Sequence, residues 1–116
     1  MPWGTVEAEP EVLAWLEALP DLDFGHAAFY IDLLEANGPL LGEPYTRQLV
    51  GKLRELRFYL RRSQVRITYF IASGRRIVLL TVFRKHGDRA PAEIARAVTA
   101  METCISEKHL ALEGDD

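Results

Sequence analysis

One cysteine, Cys104, is all the thiol in this 116-residue chain. That excludes an intramolecular disulfide framework and any Cys-rich metal site. A lone Cys among apolar neighbours reads as a packing residue. No apolar run approaches the roughly 20 residues of a membrane span. No basic segment followed by an apolar one marks a signal peptide, so the expected location is the cytoplasm. Nowhere do His, Asp and Glu take metal-ligand spacing, and no metal or cofactor is expected. Gly42, Gly51 and Gly87 do not form a phosphate-cradling loop. Repeats and low-complexity tracts are also missing. Cations are missing from the first third of the chain: the first Lys or Arg is Arg47, and nine Asp and Glu precede it.

The cations are concentrated instead. Between Arg47 and Arg89 stand 12 basic residues and 2 acidic ones, Glu55 and Asp88, or 12 − 2 = +10, in a chain of net charge −3. Such a window is an electrostatic footprint for a polyanion, with nucleic acid the first candidate. The structural alternative is a set of solvated strand edges, where Lys and Arg discourage edge pairing. Hydrophobic content of 48% is globular, and the length suits one domain over 1–116, with a flexible tail at 110–116.

The pattern predicts an α+β domain: two N-terminal helices, an antiparallel sheet of three to four strands and a C-terminal helix. A short strand is expected near Trp3 to Val6. Pro10 suits the first turn of a helix that Pro20 ends. A second helix runs from about His26 to Ala36, with Ala27, Tyr30, Ile31 and Leu34 inward. Asn37-Gly38-Pro39 ends it. Period two then takes over at Leu56, Phe58 and Leu60, again at Val65, Ile67, Tyr69 and Ile71, and an apolar run fills Arg76 to Phe83. The tight links Arg61-Arg62-Ser63 and Ser73-Gly74-Arg75 make these strands a meander. Pro91 opens the last helix, with Ile94, Ala97, Val98, Met101 and Ile105 on one face. Trp3, Trp15 and Phe24 are expected as core or helix-packing residues. The acidic helices are expected to cover one face of the sheet and leave much of the basic charge on the other.

Alternation puts Arg57 and Arg66 on the polar face. Arg84, Lys85 and His86 follow the third long strand, and the meander can bring all of them to one concave surface. Guanidinium forks bind phosphate and stabilise charge that develops on it. His86 lies beside two cations that favour its neutral, proton-accepting form. The structural alternatives are an Arg57–Glu55 pair along the strand, and Arg84, Lys85 and His86 as ordinary surface residues. His26 and His109 receive no role.

The ordered set of motifs covers nearly the whole chain. It runs from Val12-Leu13-Ala14-Trp15-Leu16-Glu17-Ala18-Leu19-Pro20, through the Leu41-to-Pro44 loop and Leu53-Arg54-Glu55-Leu56-Arg57, to Val65-Arg66-Ile67-x-Tyr69-Phe70. It continues with Ile77-Val78-Leu79-Leu80, Phe83-Arg84-Lys85-His86 and Ala90-Pro91-x-Glu93-Ile94-x-x-Ala97. In this order the chain resembles the RelE/HigB toxins of bacterial toxin–antitoxin pairs, in their phage-derived HigB-like branch. The resemblance implies a ribosome-dependent mRNA endonuclease, held in check by an antitoxin with a helix-turn-helix. It puts Arg66 at the scissile phosphate and Lys85 on the first lysine of the family's Phe-x-Lys-Lys ending. In the reading this supports, Arg84 clamps the phosphate beside Arg66, and Lys85 or His86 carries the proton. Lys52, Arg54, Arg57, Arg61 and Arg62 are then the RNA contacts. His86 stands where the family has a second lysine and Ala90 where it often has threonine, and a tyrosine used by some relatives has no counterpart. Two other readings stay open: a ParE-like gyrase-binding toxin without nuclease activity, and a degenerate antitoxin-binding module.

Overall fold

The computed structural model describes residues 1–85 and 90–108. The elements are β1 (Thr5–Ala8), α1 (Pro10–Glu17), α2 (Asp21–Asn37), a 3-10 turn (Gly38–Leu40), β2 (Thr46–Val50), β3 (Leu53–Leu60), β4 (Ser63–Ala72), β5 (Arg76–Arg84) and α3 (Ala90–Lys108). The α+β class and the order of helices match the sequence reading. The expected tail at 110–116 lies outside the described residues.

The sheet is larger than the pattern implied. It has five strands in the order β1-β5-β4-β3-β2. The three long strands form the expected meander, but β1 joins its edge in parallel, Thr5 beside Arg76 and Ala8 beside Leu79. The sheet is therefore mixed. β2 pairs antiparallel with β3 at the opposite edge, Thr46 beside Leu56. Its sequence, Thr-Arg-Gln-Leu-Val, has two adjacent apolar residues, Leu49 half-buried and Val50 exposed, and no alternation, so pairing rather than periodicity makes it a strand.

α2 starts at Asp21, five residues before the expected His26. Pro20 is extended, at φ −57° and ψ 153°, and Asp21 and Asp23 occupy the first turn. Both carboxylates complement the positive end of the helix. Gly25 looks like a break in the sequence, yet its cost of about 1 kcal/mol is small beside the packing of the helix.

Two apolar layers flank the sheet. On one face α1 and α2 set Val12, Ala27 and Leu34 against Leu56, Phe58, Ile67, Tyr69, Ile77 and Leu79. On the other, α3 sets Ala97 and Cys104 against Leu53, Phe70, Val78 and Leu80. This second layer corrects the expectation of an open basic face. The apolar half of that face needs a cover, and α3 supplies it. Cys104 is buried there, as its type predicted, and burial raises its thiol pKa. Phe24 is 47% exposed and stands outside both layers, so it is not a core residue.

Salt bridges tie the ends of α3 back to the first helix region. Arg96 pairs with Glu11 and Glu93, and Lys108 pairs with Glu9. Glu11 also accepts from the Val82 N–H at 3.0 Å, which covers β5 where β1 has ended. On this second face the apolar contacts of α3 stop short of Arg57, Arg66 and Lys85.

Candidate functional site

A carboxylate buried among cations organises that part of the face. Glu55 shares its face of β3 with Leu53 and Arg57, and has Arg47 of β2 and Thr68 of β4 as cross-strand neighbours. It is fully buried. Its Oε2 lies 3.5 Å from Arg66 Nη1 and 3.7 Å from Arg57 Nε. Among the described residues neither Glu55 oxygen accepts a hydrogen bond, and Arg57 Nε donates none. Burial raises the Glu55 pKa, while Arg66, Arg57, Arg47 and Lys85 act to lower it; burial wins.

Arg66 is held on two sides. It is 6% exposed. Its Nε and Nη2 both donate to Gln64 Oε1, at 3.2 and 3.0 Å, while Nη1 faces Glu55. Arg57 is its direct cross-strand partner. Two cations so placed repel, and the Glu55 charge between them offsets this. Behind them the Thr68 and Thr81 hydroxyls meet at 2.5 Å, and the Thr81 N–H donates to Thr68 Oγ1 at 3.1 Å. The Glu55–Arg57 pair offered as a structural alternative is thus present, but as part of a larger cluster.

The expected convergence is partial. Arg57 and Arg66 stand together. Lys85 is exposed, its N–H donates to the Gln64 carbonyl at 3.0 Å, and it is one of the four cations acting on Glu55. Arg84 does not join them. Thr68 pairs with Thr81 but Tyr69 pairs with Leu79, so Leu80 is an extra residue on β5. This bulge reverses the alternation beyond it. Phe83 therefore faces the same side as Arg66, and Arg84 sits beside Val65 on the α1–α2 side.

The expected RNA contacts also divide. Arg54 faces the helix side, where Nε donates to the Tyr69 hydroxyl at 3.3 Å and Nη2 to Thr46 Oγ1 at 3.2 Å. It braces β2 against the core. Lys52 is exposed in the β2–β3 turn, five residues along the chain from Arg57, roughly 16 Å at strand rise. Arg61 and Arg62 are exposed in the β3–β4 turn, and Arg61 pairs with Asp23 of α2 at 3.2 Å. His86 lies outside the described residues.

Three site features escaped the sequence reading. Arg47 reaches the cluster only because β2 pairs with β3. Gln64 matters only as the brace of Arg66. His26 is brought by α2 to a cleft of about 400 Å³ whose lining includes Tyr30, Tyr45, Arg57, Tyr59 and Gln64. The spacing of Glu55, Arg57 and Tyr59 on one strand face was the available signal for the first cluster; nothing local announced the cleft. Among the described residues, no three His, Cys, Asp or Glu side chains are grouped to hold a metal ion. None of the described helices is long and apolar enough to cross a membrane.

Comparison with known proteins agrees with this architecture. The family described as phage derived protein Gp49-like matches residues 14–102. No curated protein matches the sequence. Among solved structures, a double arginine mutant of the E. coli toxin RelE in the free state is similar at TM-score 0.57 and 14% identity, over 88% of this chain and 97% of that one. An archaeal RelE–RelB complex from Pyrococcus horikoshii is similar at TM-score 0.52 and 21% identity, over 76% of this chain and 99% of its counterpart. At such identities the likeness is one of fold.

Proposed function

The chain belongs to the phage-derived Gp49-like family, and from that membership together with its RelE-like fold we propose that it is the toxin of a toxin–antitoxin pair, a metal-independent endoribonuclease that cuts mRNA on the ribosome. It acts in the cytoplasm and is restrained by an antitoxin, which the solved RelE–RelB pair makes a concrete expectation. The antitoxin carries a helix-turn-helix. One observation carries the nuclease reading: Arg57 and Arg66 flank a buried carboxylate on the sheet, within the field of Lys85.

The chemistry follows from that cluster. The ribose 2′-OH attacks the adjacent phosphorus, the 5′-oxygen leaves, and a cyclic phosphate and a 5′-OH result. Negative charge grows on the phosphoryl oxygens during attack. Donors fixed in advance at those oxygens lower the barrier without reorganising during the reaction. Arg66 is held by Gln64 and Glu55, and so is suited to this role. Arg57 and the exposed Lys85 supply further positive charge. Lys85 or His86 carries the proton, and Glu55 is a positioning residue behind the guanidinium groups. Arg61, Arg62 and Lys52 attract the ribosome and mRNA at longer range, through contacts that salt weakens.

The test is expression of the toxin alone, with cellular mRNA 5′ ends mapped soon afterwards. Arrested growth with new cleavage ends is expected. Arg66→Lys keeps a charge facing Glu55 but loses the guanidinium fork. Cleavage should fall about 10²–10³-fold in that variant while the folded protein still binds its antitoxin. Arrested growth without new ends would favour a gyrase-binding poison, and normal growth with folded protein would leave only an antitoxin-binding module.

A further inference from the structure

We propose that the cleft between α2 and the free end of β3 is a nucleobase-binding subsite, which receives a base from the same single-stranded RNA whose phosphate meets Arg57 and Arg66. The proposal rests on the nuclease reading for the identity of the polymer. β2 begins at Thr46, beside Leu56, and the last contact before it is the Arg57 N–H donating to the Tyr45 carbonyl, so β3 continues past its neighbour as an open edge from Phe58 to Leu60. α2 runs alongside that edge. Tyr30 stacks on Phe58 with centroids 5.0 Å apart and 6° between planes, and His26 meets Tyr30 edge-on at 5.5 Å. These rings form the floor.

The rim is unusually aromatic for a solvent-facing edge. Tyr45 is 40% exposed and Tyr59 is 60% exposed. Tyr45 comes from the turn that leads into β2 and Tyr59 from β3, and both line this one cleft. Single exposed aromatics are ordinary, but two at one rim over an aromatic floor are a platform on which a base can stack. Arg57 lines the cleft and also belongs to the Glu55 cluster, so the cleft opens directly onto the phosphate site. Gln64 likewise braces Arg66 and lines the cleft, where its amide nitrogen can donate to a base edge.

Charge selects the occupant. Among the described residues no carboxylate lines this cleft. The next cleft along α2 is lined by Asp21 and Asp23 as well as His26 and Tyr30. A polyanion entering from Arg57 therefore meets neutral rings first and carboxylates only farther on. A base turned over the β3 edge fits that order: its phosphate stays at Arg57 while its ring passes between Tyr45 and Tyr59. Stacking platforms tolerate all four bases, so the subsite adds affinity and direction more than sequence choice.

The test uses the full chain and an RNA that cannot react. A 2′-O-methyl heptamer lacks the attacking hydroxyl, and a second heptamer of the same backbone carries abasic positions throughout. At one salt concentration the parent protein should bind the base-bearing heptamer about tenfold or more tighter than the abasic one. The Tyr45→Ala, Tyr59→Ala double variant changes only exposed rings and should fold normally. It should bind both heptamers equally, at the parent's abasic affinity. The Tyr45→Phe, Tyr59→Phe double variant should recover the preference. Equal binding of the two heptamers by the parent, no binding of either, or a preference retained by the alanine variant would overturn the subsite. Cleavage is read separately. Base preference without mRNA cleavage would keep the subsite and reject the nuclease; cleavage without base preference would do the reverse.

Discussion

Glu55 offers the sharpest test of how the cluster is built. Its carboxylate is fully buried and sits 3.5 and 3.7 Å from two guanidinium nitrogens. At an effective dielectric of 20, each contact is worth about 4–5 kcal/mol of Coulomb attraction. Burial opposes this attraction by penalising the charged carboxylate, and it pushes the Glu55 pKa up against the cations. Glu55→Leu leaves the buried Arg66 facing Arg57 with no anion between them. Breaking a buried pair in this way typically costs about 3–5 kcal/mol, a large share of the roughly 5–15 kcal/mol that holds a domain folded. Glu55→Gln keeps the volume and an acceptor and should lose only about 1–2 kcal/mol. The pH dependence separates the terms. Because the folded pKa is raised, the folded state keeps a proton that the unfolded chain releases. Stability should therefore fall as pH rises from 4.5 through the folded value, then level off. Glu7 acts in the opposite sense and only below 4.5, since its hydrogen bond to Arg76 lowers its pKa; that stability is lost as pH falls. Urea unfolding followed by Trp fluorescence from pH 4.5 upward, with Glu55→Gln subtracted from the parent, isolates the Glu55 slope. A Glu55→Leu variant as stable as the parent, or a Glu55→Gln variant with the parent's slope, would refute the account.

Two other substitutions probe the frame that carries the site. Gly38 has φ 55° and ψ −130°, and an added Cβ would run into the Trp3 indole. Gly38→Ala should cost several kcal/mol, because strain and clash act together at about 1–3 kcal/mol or more each; an unchanged urea midpoint would deny that Trp3 seals the end of α2. Thr68→Val removes one of two buried hydroxyls 2.5 Å apart and also the acceptor for the Thr81 N–H. A loss of about 1–3 kcal/mol is expected, and Thr68→Val with Thr81→Val should recover part of it, which a double-mutant cycle in urea measures.

Much of this protein is legible without a structure, wherever a local rule acts alone. Leu56, Phe58 and Leu60 alternate with Glu55, Arg57 and Tyr59 because a strand turns successive side chains to opposite faces. Pro10, Pro91 and the apolar stripes of α2 and α3 mark helices because period and chain stiffness are local properties. The cationic window could be counted directly. Tertiary structure decided the rest through partners far away in sequence. β2 is a strand because β3 offers a free edge to pair with, and β5 decides where and in which direction the expected N-terminal strand docks. One residue too many at Leu80 turns Arg84 away from Arg66, and no pattern in an almost wholly apolar run reveals that slip. Glu55 reads as a surface charge until Arg47, Arg66 and Lys85 close around it. His26 lies 31 residues before Arg57 in the sequence, yet α2 carries it to the same cleft. Periodicity assigns a residue to a face; only packing and register determine which other residues share its site.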